Sequence, residues 1–199
     1  MSEDSPRGPG RPRDADMEDR VYTAVLAVYW ETSWRGFTFD AVARQAKVGR
    51  AALYRRWADK EELLVQALEA RSPLSTLIDT GSVRGDLVEL AEQLAVGYGE
   101  LSGLVSLRVT LDARVNPDLL SHLTDTLNQS RLVTARRIVR RAVTRGELPE
   151  GTSTTLLLEL VTGAVLARAL FSQAHSGSRT TAAVDHSTVV VDTVLRALG

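Results

Sequence analysis

Arg50, Ala51, Tyr54 and Arg55 are spaced so that, on a helix, all four project from one side. Their chemistry suits a nucleic-acid duplex. An arginine near the start of a helix lying in a major groove can donate two hydrogen bonds to guanine O6 and N7, discriminating bases by ~1–3 kcal/mol. Ala51 lets the backbone come close and can touch a thymine methyl. Tyr54 and Arg56 suit phosphate oxygens, and Arg55 suits either role. On the opposite face Leu53 and Trp57 are four apart and, with Val48, can pack on neighbouring helices.

Two helix starts flank this segment. Thr38 can cap a helix through its hydroxyl, and Lys60 follows Asp59, a second capping residue. Free N–H groups at such starts attract anions. Lys47 adds a cation at the connection, and Gly49 is a tolerated cap before Arg50. Charge distribution agrees: Arg35 to Lys60 holds seven Lys or Arg against two acids, Asp40 and Asp59, whereas residues 73–199 hold twelve Arg against thirteen acids. A second contact is offered by the arm around Arg11 and Arg13, where an extended, proline-stiffened basic segment could enter an A·T-rich minor groove. A solubilising tail is the competing reading of that arm.

The elements that must position these groups are helical. Residues 1–15 lack an apolar face and read as a flexible arm. A first helix is expected from about Asp16 to Trp34, with Val21, Ala24, Val25, Val28 and Tyr29 on its inner face. A second follows Thr38 with Phe39, Val42, Ala43 and Ala46 inward. A third ends near Trp57, and a fourth follows Asp59 with Leu63, Leu64, Ala67 and Leu68 inward. The pattern therefore predicts a helix-turn-helix unit over 16–72, whose second helix would lie in a major groove.

Residues 73–199 also read as helices: about 83–98, 101–114, a long one opened by Asn116-Pro117-Asp118 and stopped at Gly146, 154–173, and 184–198. Val189 to Val191 are β-branched, but Val191, Val194, Leu195 and Leu198 keep helical spacing. The fold class is thus all-α, with about nine helices. The helix from Thr154 is apolar nearly all round, which requires cover on more than one side. A second copy, joined through the helices near 154–173 and 184–198, is the expected cover, and a two-fold dimer would engage two half-sites. Arg131, Arg136, Arg137, Arg140, Arg141 and Arg145 read as a solvated, acid-paired face.

Composition narrows the class. The chain has 199 residues, 44% of them apolar, and a net charge of −1. It contains no cysteine, which excludes disulfides and thiolate metal sites. No run of eighteen apolar residues and no signal-peptide core occur, so no membrane span and a cytoplasmic location are expected. His122, His175 and His186 have no metal-ligand spacing, and no catalytic motif or cofactor-binding loop is present.

The stretch from 16 to 71 resembles the DNA-binding region of the tetracycline-repressor (TetR) family. The resemblance rests on Gly36-Phe37, Thr38, Val42-Ala43, Ala46, Val48, Leu53-Tyr54, Trp57, and Lys60 ahead of Glu61 and Leu63. The Arg145-Gly146-Glu147-Leu148 bend and the chain length also fit. Two positions depart from the family pattern: Lys47 stands where glycine is usual, and Gly49 where serine is frequent. The resemblance implies a dimeric regulator that binds an operator in double-stranded DNA, with residues 73–199 binding a small-molecule effector and forming the dimer. Tyr98, Leu104, Leu107, Leu111, Leu120, Leu123, Leu127, Val161 and Phe171 become candidate pocket walls by position, and plain core is the competing role for each. Repression relieved by ligand is the expected mode. Activation, or a helical interaction protein without DNA binding, are the alternatives.

Overall fold

The computed structural model describes residues 12–72, 77–115, 132–171 and 179–198. These residues form nine helical segments and no strand, as the all-α reading expects. They are α1 (Pro12–Gly36), α2 (Phe39–Ala46), α3 (Arg50–Arg56), α4 (Lys60–Ala70), α5 (Val83–Gly99), α6 (Leu101–Val115), α7 (132–144), α8 (Thr154–Phe171) and α9 (Arg179–Leu198). The chain divides into two compact units, Met1–Ala70 and Arg71–Gly199.

In the first unit α1 packs on α2 and α4, and α2 packs on α3. The inward faces are those that the periodicity selects: Val21, Ala24, Val25, Val28 and Tyr29 of α1 are buried, with Phe39, Val42, Ala43 and Ala46 of α2 and Leu63, Leu64, Ala67 and Leu68 of α4. Leu53 and Trp57 complete this core, and Val48 is half-buried. Tyr29 and Phe37 meet edge to face at 5.6 Å.

Local chemistry explains the boundaries. Thr38 accepts a hydrogen bond from the Ala41 amide at 3.2 Å and opens α2. Asp59 accepts from the Glu62 amide at 2.8 Å and opens α4, while the Glu62 carboxylate accepts from the Ala58 amide at 2.7 Å. Helix α1 differs from expectation at both ends. It begins at Pro12, where proline is tolerated because the first helical amide has no intrahelical partner. Near its other end Ser33 leaves helical geometry (φ 55°). Gly36 then passes so close to Thr32 that a Cβ there would lie 2.5 Å from the threonine Cβ.

In the second unit α5 packs on α6, α8 and α9, and α8 packs on α9. Leu87, Leu90, Ala91, Leu94, Ile138, Leu157, Val161, Val165 and Val191 are among its core residues. Ser82 caps α5 through the Gly85 amide, and Ser153 caps α8 through the Leu156 amide. Gly103 lets α6 approach the end of α5, since a Cβ there would fall 2.1 Å from the Gly97 carbonyl oxygen. Helix α7 stops as expected: Gly146 is left-handed (φ 72°), with its amide on the Val143 carbonyl and that of Glu147 on the Ala142 carbonyl. Helix α9 begins at Arg179, earlier than the expected start near 184. The proposed opening of the long helix at Asn116-Pro117-Asp118 lies outside the described residues.

Candidate nucleic-acid interface

Helix α3 presents its two faces as the spacing requires. Leu53 is fully buried, while Arg50, Ala51, Tyr54 and Arg55 are exposed. Gly49 precedes the helix in an extended conformation without a side-chain cap, and the Ala52 amide bonds its carbonyl at 2.9 Å. Tyr54 stands on Phe39 of α2, ring centroids 4.7 Å apart and nearly perpendicular. Arg50 makes an ion pair with Asp40 of α2, Nε to Oδ1 at 2.5 Å.

The turn before α3 is built on Lys47, which is left-handed (φ 56°, ψ 46°). Its amide contacts the Ala43 and Arg44 carbonyls, and the Val48 amide returns to Ala43 at 3.0 Å. This is the helix-ending pattern that glycine usually serves, held here by an exposed lysine. Residue 47 therefore adopts the backbone that the more common glycine would adopt, with a cation added at the surface.

Two cations assigned to phosphates by sequence are engaged within the unit. Arg56 reaches α1 and pairs with Glu18 at 3.0 Å. The Lys60 ammonium donates to the Trp34 carbonyl oxygen at 3.0 Å and sits 3.9 Å from the centre of the Trp34 ring. Burial lowers the Lys60 pKa. Arg56 thereby ties the end of α3 to the early part of α1, Lys60 ties the start of α4 to the end of α1, and the amide of Lys60 stays at the start of α4. Trp57 is fixed similarly: its indole donates to Gln66 at 2.8 Å, Gln66 donates to Glu62 at 3.0 Å, and Tyr22 also donates to Gln66. Burial, then Glu18, raises the Tyr22 pKa, opposed by Arg56. Arg13 lies on the first turn of α1 and not in an extended arm, which corrects the expected boundary at residue 16. Arg11 lies outside the described residues.

The candidate pocket residues separate. Tyr98 and Val161 belong to the core of the second unit, Leu107 packs against it, and Leu104 is half-buried. Leu111 and Phe171 are largely exposed, at 67% and 80%. Leu120, Leu123 and Leu127 lie outside the described residues.

Sequence reasoning missed a charge cluster at the beginning of this unit. Asp86 is fully buried. Its carboxylate accepts from the Thr80 amide at 2.6 Å and hydroxyl at 2.9 Å, and from Arg141 at 3.0 Å. Arg145 stands 3.7 Å away and also bonds Glu147 at 2.7 Å, while Glu147 accepts from the Val83 amide. Burial pushes the Asp86 pKa up, but the Thr80 and Arg141 hydrogen bonds outweigh it, and the net shift is downward. Arg141 is thus half-buried and drawn off the solvated face assigned to it, whereas Arg145 stays exposed and acid-paired as that reading expects. Asp40 was missed as well, although it is the one acid between Arg35 and Asp59. No cluster of His, Cys, Asp or Glu able to hold a metal occurs among the described residues.

Comparison with known proteins places this geometry. Residues 22–67 match the family model for bacterial regulatory proteins of the tetR family, and 77–187 match the tetracyclin repressor-like C-terminal domain. The chain is 32% identical over 154 residues to the HTH-type transcriptional regulator AqdR of Rhodococcus erythropolis, covering 77% of this chain and 74% of that protein. It is 28% identical over 165 residues to an HTH-type regulator of Mycobacterium tuberculosis, covering 80% and 81%. Among solved structures, FadR of Bacillus subtilis in complex with stearoyl-CoA superposes with a TM-score of 0.69 at 14% identity, covering 91% of this chain and 99% of that one. A TetR-family regulator of Streptomyces coelicolor superposes with a TM-score of 0.64 at 16% identity, covering 96% and 97%.

Proposed function

This chain belongs to the TetR family of helix-turn-helix transcriptional regulators, and we propose that it is a repressor released from its operator by a largely apolar small molecule. The observation that carries the reading is the outward set on α3 mounted on a buried scaffold. Arg50 and Ala51 read bases, and Thr38, Lys47, Gly49, Tyr54, Arg55 and the amide of Lys60 meet the backbone. The side chains of Arg56 and Lys60 act by holding α3 and α4 against α1.

The effector binds in the second unit, among residues that include Tyr98, Leu104, Leu107 and Val161. Its apolar character is supported by these walls, and the FadR neighbour carries stearoyl-CoA. To switch most of the population, the effector must favour the released state by several kcal/mol.

The active form is a homodimer in the cytoplasm. Helix α8 has mean hydropathy 1.6 over 18 residues, long and apolar enough to cross a membrane. Yet Leu157, Val161 and Val165 face its own core, while Leu156, Leu160, Gly163, Ala167 and Leu170 form an exposed stripe at helical spacing. Glu159 and Arg168 also stand exposed on it. A second copy covers this stripe better than lipid would, with Val189 of α9 beside it in the interface.

A gel-shift titration of the full-length protein against its own promoter tests the reading. Salt-sensitive, sequence-selective binding is expected, with Arg50→Ala losing selectivity. Absence of selective binding to any duplex in a random pool would overturn it.

A further inference from the structure

Asp40 is placed where an acid is costly. It is the one carboxylate between Arg35 and Asp59, on the surface that faces a polyanion, and its side chain remains 45% exposed. Its distance to Arg50 Nε, 2.5 Å, accounts for its presence. We propose that Asp40 is a specificity-setting residue that positions Arg50 for base reading and suppresses the use of Arg50 as a generic phosphate contact. The proposal rests on the base-reading role given to Arg50 above.

Three features support it. The closest approach is at Nε, and a guanidinium with five N–H donors that is held from that edge can still present terminal N–H groups to a guanine edge. Arginine has many rotamers, and an anchor at Nε restricts them before DNA arrives, which favours the one geometry that fits a base over the many that fit a phosphate. The neighbouring Phe39 supports Tyr54 in the same way, so the first turn of α2 sets the direction of two side chains on α3. A first-turn acid also suits the α2 dipole. That role alone would alter stability and leave base preference untouched.

The test uses the full-length protein and a duplex recovered by selection from a random pool, then the same duplex with each base pair changed singly, and a scrambled duplex. Asp40→Asn keeps the shape and removes the charge. It should reduce discrimination about tenfold at the base pair that Arg50→Ala identifies, leave other positions unchanged, and tighten binding to the scrambled duplex several-fold at low salt. In the Arg50→Ala background, Asp40→Asn should have no further effect at that position. Asp40→Glu, which keeps the charge but alters its reach, should lose discrimination without the gain on scrambled DNA, and it supplies the answer if the Asn variant does not fold. If Arg50→Ala leaves every base preference intact, the base-reading role of Arg50 fails. If Arg50→Ala loses discrimination while both Asp40 variants keep it, Arg50 reads the base unaided and the proposal for Asp40 is overturned.

Discussion

Asp86 and Arg141, 55 residues apart in the chain, meet at 3.0 Å with the carboxylate fully out of solvent. The contact fastens the segment ahead of α5 to the last turn of α7, since Arg141 also donates to the Ile78 carbonyl and Thr80 donates twice to Asp86. Ile78, Val83 and Leu148 are buried around it. The cluster therefore holds residues 78–80 on the core of the second unit.

Removing the carboxylate alone leaves the Thr80 amide without its acceptor and takes from Arg141 its buried ion-pair partner. Asp86→Ala should destabilise the protein by roughly 2–4 kcal/mol, the range for breaking a buried, hydrogen-bonded pair from one side. Urea unfolding followed by circular dichroism measures this. A loss under 1 kcal/mol would mean that water or rearrangement satisfies the partners and that the cluster does not anchor the segment.

The same group gives a pH dependence with a definite sign. Asp86 titrates below its ordinary value in the folded protein, so its contribution is fully present above the unfolded pKa of about 3.9 and is lost as pH falls through the folded value. Urea midpoints taken from pH 7 down to 2 should fall below about pH 4, and Asp86→Asn should flatten that fall. Glu147 and Asp192 also titrate low, Glu147 chiefly through Arg145 and Asp192 chiefly through Arg84, so the variant keeps part of the slope. Parallel curves for the two proteins would remove Asp86 as a source.

What the sequence makes legible here is local. Thr38 with Phe39, Val42, Ala43 and Ala46 is a cap followed by a helical face, and both are realised because they depend on residues within one or two turns. The outward set on α3 follows from the same period. The Asp86 cluster depends on residues 55 and 59 positions further along, where no period reports proximity, and so Arg141 and Arg145 read as part of an acid-paired face without the buried carboxylate that pairs with them. Asp40 and Arg50 are separated by a turn whose geometry decides whether they meet. The early start of α1 was hidden because residues 12–15 have no apolar face, although a proline first and acids next suit a helix start.

Lys47 carries a backbone cost that its neighbours do not. A left-handed residue with a Cβ is disfavoured by about 1 kcal/mol or more relative to glycine, and Lys47 sits at φ 56°. Lys47→Gly should raise stability by about 0.5–1 kcal/mol, with glycine's greater unfolded freedom taking back part of the gain. It should also reduce the salt dependence of operator binding by about one phosphate contact. Thermal melts and salt titrations read the two effects separately. A lower melting temperature would show that the lysine side chain contributes more than its backbone costs.

Lys60 combines two roles that one pair of variants can separate. Its ammonium is committed to the Trp34 carbonyl and ring, while its amide is the first of α4, before any intrahelical partner. Lys60→Ala removes the first role and retains the second. Lys60→Pro removes both, and proline is well accepted at the first helical position. The two variants should lose similar stability, on the order of 1 kcal/mol, because both lose the Trp34 contacts. On operator DNA the Pro variant should bind several-fold more weakly than the Ala variant, equally across duplex sequences, because a phosphate loses its amide donor. Equal binding by the two would place no phosphate at this amide. A weaker salt dependence in Lys60→Ala than in the wild type would instead mean that the ammonium leaves Trp34 for the DNA.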